Sequence, residues 1–134
     1  MTPDAPGIAC GVDIVSVARI RAAVERSGTP FLGKYWTPEE LRYCDGRAER
    51  LAARWAAKEA TMKVLEGGFD RFDPRSIEVR RDAGGVPRLA LSAEAAAHAQ
   101  ASGLGSWSVS LSHEQEHAVA MVTALRWPSA PTRS

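Results

Sequence analysis

Asp13, Glu59 and Lys63 stand where chemistry explains them better than packing does. Asp13 lies in "GVDIV", an otherwise apolar stretch. An unpaired buried carboxylate is costly, so it needs a cation, a hydrogen-bond network or a water-filled cleft beside it. Glu59 and Lys63 sit in "RWAAKEATMKVL", where charges interrupt alanines and larger apolar residues. Four residues apart, they share one side of a helix. If Asp13 faces Glu59, two hard oxygen ligands meet. That suits magnesium, which commonly uses one or two carboxylates, keeps several waters and completes its shell with substrate phosphate oxygens. Lys63 could steady those phosphates, and Arg54 and His113 could hold a further anionic part of the substrate. The set suggests phosphoryl-type transfer. The competing explanation is a set of i,i+4 ion pairs contributing only tenths of a kcal/mol.

A second chemistry is written in "SHEQEH", residues 112–117, which contains His-Glu-x-x-His. On a helix that motif holds zinc and a general base for peptide hydrolysis. The flanks argue otherwise. Residues 107–112, "WSVSLS", alternate apolar and polar as a half-buried strand does, and residues 118–124, "AVAMVTA", are short, apolar and partly β-branched. His113 and His117 are therefore expected to flank a hairpin loop. No Asp, Glu, His or Cys follows His117 to complete a zinc shell.

Residues 8–14 suit a strand, and Ser16 could cap a helix running to about Arg26. "TPEE" at 37–40 is a helix start with a capping Thr, Pro at the first helical position and Glu at the third. The longest helical pattern spans about Arg47 to Leu65 and is ended by Gly67-Gly68. It carries two apolar sides, with Glu59 and Lys63 between them and Arg54 and Lys58 as another neighbouring pair. Residues 77–81 and 88–91 read as strands around an "AGGVP" turn, followed by an alanine-rich helix from a Ser92 cap to about Ser102. The order implies an α+β fold, a mainly antiparallel sheet packed on a long central helix.

At 134 residues the chain is read as one domain, with loose ends at about 1–6 and 127–134. It is 45% hydrophobic and 25% charged, the balance of a soluble globular protein. Two cysteines without metal-like spacing fit a reducing cytoplasm, and no targeting or membrane-spanning run is seen. A formal charge of +1 argues against a general nucleic-acid binder. Between Arg19 and Lys63, however, ten Lys or Arg face six acids. Such a local surplus is either an ordinary solvated face or a docking surface for an acidic partner.

"GVDIVSVARI", "FLGKYWTPEEL", "RWAAKEATMKVL", "IEVRRDAGGVPRLAL" and "WSVSLSHEQEHAVAMV" together resemble, in order and spacing, the stand-alone phosphopantetheinyl transferases of the holo-acyl-carrier-protein synthase type. The resemblance implies transfer of phosphopantetheine from coenzyme A to a serine of an apo acyl carrier protein, with magnesium as cofactor. It also implies a homotrimer with active sites between neighbouring subunits. Carried over by position, Asp13 and Glu59 correspond to the magnesium ligands and Lys63 to the phosphate-binding lysine. His113 and Arg54 correspond to coenzyme A-binding residues, Pro87 to a residue lining the nucleotide site, and Arg19 to a carrier-docking arginine. The general base is left open between Glu59 and a metal-held water. Ser16, where an acid is common, Lys34, in place of an arginine, and the longer "AHAQASGLGS" connection are departures that bear on carrier preference. A non-catalytic trimer binding coenzyme A or carrier protein is the alternative, disfavoured because Asp13, Glu59 and Lys63 are all present.

Overall fold

The computed structural model describes residues 5–128. Strand β1 (Gly7–Ser16) leads into helices α1 (Val17–Tyr35), α2 (Pro38–Cys44) and α3 (Ala48–Leu65). The hairpin β2 (Ile77–Arg81) and β3 (Pro87–Leu91), helix α4 (Ala93–Ala101) and the long hairpin β4 (Leu104–His113) and β5 (His117–Arg126) follow. The expected α+β arrangement is present. β1, β5 and β4 form one antiparallel sheet in that order, and β2 and β3 pair separately.

Alternation along the strands sets which face is covered. Gly11 and Val15 of β1 and Ala118, Ala120, Val122 and Ala124 of β5 are buried, whereas Ile8, Cys10, Val12, Ile14 and Met121 are exposed on the other face. Side chains two apart in a strand share a face, so one sheet surface is core and the other is open. The alanine pattern of α3 has the same cause. Ala52, Ala53, Ala56, Ala57 and Ala60 are fully buried, because the helix runs across the inner face of β1 and β5 and is flanked by α1, α2 and β2. At Gly11 the approach is closest: a Cβ there would sit 2.2 Å from the Ala60 carbonyl oxygen. Only glycine lets the backbones come so near.

The sequence reading is corrected at four ends. α1 does not stop at Arg26; a break at Gly28 (φ 61°, ψ −145°) is followed by a second helical segment to Tyr35. Pro30 is tolerated because it falls in the first turn of that segment. Its Phe31 and Tyr35 join Trp36, Trp55 and Phe69 in an aromatic cluster. α3 ends through Glu66, not a glycine, in the left-handed conformation, with Gly67 N–H donating to the Met62 carbonyl. Ser92 occupies the N-cap position of α4 without a side-chain bond; its own N–H donates instead to the Ser76 carbonyl. Trp127 is not loose, since its N–H donates to the Gly103 carbonyl at 2.8 Å. Of the predicted loose residues, 1–4 and 129–134 lie outside the described residues. α2 starts as expected, with a reciprocal capping box between Thr37 and Glu40. No helix among the described residues is long and apolar enough to cross a membrane.

Candidate active site

Two residues beyond the Gly11 contact, β1 delivers Asp13 against the exposed edge of α3. Lys63 Nζ lies 3.4 Å from Asp13 Oδ1 and donates to the Val12 carbonyl at 2.6 Å. Asp13 Oδ2 is buried and accepts no hydrogen bond. Glu59, one turn before Lys63, faces the same carboxylate. Burial pushes the Glu59 carboxyl above its ordinary pKa, and the neighbouring Asp13 carboxylate pushes it further, against Lys63 and Arg19. Two adjacent carboxylates, one with a raised pKa and the other with an orphaned oxygen, form a donor set that fits a hard divalent cation. Beside them a pocket of about 300 Å³ opens at the end of α3, lined by Glu59, Met62, Lys63, Glu66 and Phe69 among others.

Arg19 lies on the first turn of α1, which Ser16 caps by accepting the Arg19 backbone N–H at 3.2 Å. It is exposed and close enough to Glu59 to lower that carboxyl's pKa. With Arg26, Phe31 and Trp55 it lines a groove of about 410 Å³. Basic side chains over an aromatic floor thus adjoin the carboxylate pair.

Arg54 does not join the carboxylates. Five residues from Glu59, it points about 140° around the helix. Its guanidinium carbon lies 4.3 Å from the centroid of the Tyr43 ring, and its Nε and Nη2 have no hydrogen-bond partner although the residue is only 3% exposed. Burial lowers its pKa, opposed by Cys44, Tyr43 and Glu40. Lys58, its neighbour one turn on, turns instead to Glu40 at 2.7 Å. Pro87 begins β3 opposite Arg81, whose guanidinium also packs on Tyr43, so the predicted nucleotide-lining position adjoins Arg54's surroundings. Tyr43, Arg50 and Arg81 were missed in the sequence. The one available signal was the i,i+4 spacing of Arg50 and Arg54.

His113 and His117 end β4 and begin β5, so the hairpin expectation holds and the helical zinc motif is excluded. His113 pairs with Ala118, which in turn pairs with Val15, placing it two strands, roughly 10 Å, from β1. At the tip His117 Nδ1 lies 3.3 Å from Glu114, an exposed contact in which His113 takes no part. The predicted residues therefore fall into three places within one chain: Asp13, Glu59, Lys63 and Arg19; Arg54 and Pro87; and His113.

The 4′-phosphopantetheinyl transferase superfamily model matches residues 9–122. A holo-acyl-carrier-protein synthase from Gloeobacter violaceus is 42% identical over 119 residues, covering 86% of this chain and 90% of the relative. One from Koribacter versatilis is 44% identical over 119 residues, covering 84% and 93%. Among solved structures, Helicobacter pylori holo-acyl-carrier-protein synthase in complex with coenzyme A superposes with a TM-score of 0.78 at 31% identity, covering 86% of this chain and 98% of that one. With a match from β1 into β5 and relatives aligned over nearly their whole length, this chain belongs to the 4′-phosphopantetheinyl transferase superfamily.

Proposed function

We infer that this protein is a holo-acyl-carrier-protein synthase, which transfers 4′-phosphopantetheine from coenzyme A to a serine of an apo acyl carrier protein and releases adenosine 3′,5′-bisphosphate. The observation that carries the reading is the Asp13, Glu59 and Lys63 constellation, built by β1 and α3. In the reaction the serine hydroxyl attacks the pantetheine-side phosphorus of the diphosphate. The bond to the bridging oxygen breaks, and its electron pair leaves with adenosine 3′,5′-bisphosphate.

Asp13 and Glu59 would hold magnesium, which when bound neutralises diphosphate charge and supplies a Lewis acid. Lys63 donates to the Val12 carbonyl and, at 3.4 Å, to Asp13 Oδ1, and its side chain is largely exposed, so its ammonium can turn to the phosphate oxygens and offset charge developing on them. Glu59, or a water held by the metal, would take the serine proton. Arg54, Pro87 and His113 would bind coenzyme A, and Arg19, on its groove, would dock an acidic carrier.

The separation of these groups in one chain supports a shared site. We assign the assembly as a homotrimer, in which a neighbouring subunit brings residues on other faces towards the Asp13 and Glu59 pair. The open face of the long sheet supplies an interface: Ile8, Val12, Ile14 and Met121 are 77%, 55%, 63% and 48% exposed. Apolar patches on this scale mark contact surfaces. The test of function is mass spectrometry of an apo carrier protein incubated with coenzyme A, magnesium and the enzyme. A gain of one phosphopantetheine on one serine is expected, and an unchanged carrier would refute the assignment.

A further inference from the structure

Tyr43 on α2 is surrounded by three guanidinium groups. The Cζ atoms of Arg54, Arg81 and Arg50 lie 4.3, 4.7 and 4.8 Å from its ring centroid. Arg81 Nη1 donates to the phenol oxygen at 2.8 Å, and Arg50 Nη1 donates to the Tyr43 carbonyl at 3.0 Å. The three arginines come from two elements, α3 and β2, and meet at a residue of a third. Among the described residues none of them forms an ion pair with a carboxylate, whereas Arg42, Arg75, Arg80 and Arg88 all do.

Three like charges gathered without an ion-pair partner repel one another. The Arg81 charge is among the causes that lower the Arg54 pKa. Arg54 is also buried with Nε and Nη2 unpartnered. A carboxylate at position 43 would relieve this, but it would occupy the same donors an incoming anion needs. An aromatic ring attracts cations through its quadrupole without cancelling their charge. Tyr43 can thus orient the arginines and leave their net charge available. Guanidinium donors held in place suit a phosphate group, which they engage in parallel hydrogen bonds.

We propose that Tyr43 is a positioning residue for phosphate recognition, its ring and hydroxyl holding Arg54, Arg81 and Arg50 in place before coenzyme A arrives, with Arg81 and Arg50 as further phosphate-binding groups. The proposal rests on the reading of Arg54 as a coenzyme A-binding residue. It gives Tyr43 a role in affinity rather than in the chemical step.

The test measures the dissociation constant of coenzyme A by calorimetry, in saturating magnesium, together with kcat at saturating coenzyme A. Arg54→Ala alone should weaken binding by more than tenfold; normal binding by that variant would remove the underlying reading, and the proposal with it. Tyr43→Leu should weaken binding about tenfold with kcat within about twofold of wild type, and in an Arg54→Ala background it should add less than twofold. Tyr43→Phe keeps the ring and loses only the Arg81 anchor, so about threefold is expected. Arg81→Gln should match or exceed that loss, and the two together should cost no more than Arg81→Gln alone. This second pair tests the coupling even if Tyr43→Leu fails to fold. Wild-type affinity in Tyr43→Leu, an equal loss with Arg54 already removed, a fall in kcat without a change in affinity, or additive losses for Tyr43→Phe and Arg81→Gln would each overturn the proposal.

Discussion

Lys58 and Glu59 are consecutive on α3, about 100° apart around it, and meet opposite circumstances. The Lys58 ammonium is fully buried with three acceptors: Glu40 Oε1 at 2.7 Å, the Pro74 carbonyl at 2.9 Å and the Ile77 carbonyl at 2.5 Å. Glu40 is equally occupied, accepting from Thr37 N–H and, through Oε2, from Val79 N–H at 3.0 Å. Every polar direction is used, so the pair locks α2, α3 and β2 together. Around Glu59 the accounting does not close: Asp13 Oδ2 has no donor, and burial beside Asp13 holds the Glu59 carboxyl above its ordinary pKa. On one helix, a completed buried charge is scaffold, and an incomplete one is a site awaiting its ligand.

The comparison breaks most visibly in activity. Asp13→Ala and Glu59→Ala should each lower carrier modification at least a thousandfold, about 4 kcal/mol of transition-state stabilisation, while the proteins stay folded. Turnover assays paired with circular dichroism check this; near-normal turnover by either variant at ordinary magnesium concentrations would contradict it. Lys58→Met should do the reverse. It leaves Glu40 buried without its cation and should lower unfolding free energy by about 3–5 kcal/mol, read from urea denaturation, while kcat is largely kept in conditions where the variant remains folded. A stable but inactive Lys58→Met protein would move Lys58 into the site.

Arg19 sharpens the boundary of the open region. Arg19→Glu should raise KM for an acidic carrier about tenfold and leave the dissociation constant of coenzyme A unchanged, because an exposed charge acts on the encounter and not on the bound nucleotide. Wild-type KM for the carrier should also rise with salt, since such charges are screened beyond about 8 Å at physiological ionic strength. Equal damage to coenzyme A binding would place Arg19 in the nucleotide site.

The smallest effect is in stability. The Glu59 pKa in the folded protein stands above its ordinary 4.5, so the folded state holds that proton more tightly than the unfolded chain does. Its contribution is fully present below about 4.5 and is lost as pH rises through the folded value. In metal-free protein the Tm of wild type relative to Glu59→Gln should therefore fall on going from that acidic range to pH 8. Glu59→Gln, which never ionises, should melt a few degrees above wild type at pH 8 in the presence of a chelator. A variant less stable than wild type under those conditions would show that Glu59 is a structural partner.

Local signals carried much of this architecture. The capping box at Thr37, the period-two alternation of β4 and the alanine pattern of α3 each depend on neighbours in the chain, so their elements were legible. Asp13 was legible as a carboxylate out of place in a strand, and Glu59 and Lys63 by their spacing. What escaped depended on contacts across the fold. Arg54 and Lys58 are neighbours by helical spacing, but that spacing says nothing of their partners: Tyr43, eleven residues before Arg54, and Glu40, eighteen before Lys58. The helix beyond Gly28 was missed because glycine and proline read as punctuation, although here they reset the helix direction and bring Phe31 and Tyr35 onto Trp55.

The most direct test of the distinction between closed and open charge uses one assay on neighbouring residues. An apo acyl carrier protein is incubated with coenzyme A and magnesium, and its mass is read after exposure to wild type, Glu59→Gln or Lys58→Met at a temperature where all three are folded. One added phosphopantetheine is expected with wild type and Lys58→Met, and none with Glu59→Gln or with wild type in excess chelator. Full modification by Glu59→Gln, or an unmodified carrier with folded wild-type enzyme and magnesium, would contradict it.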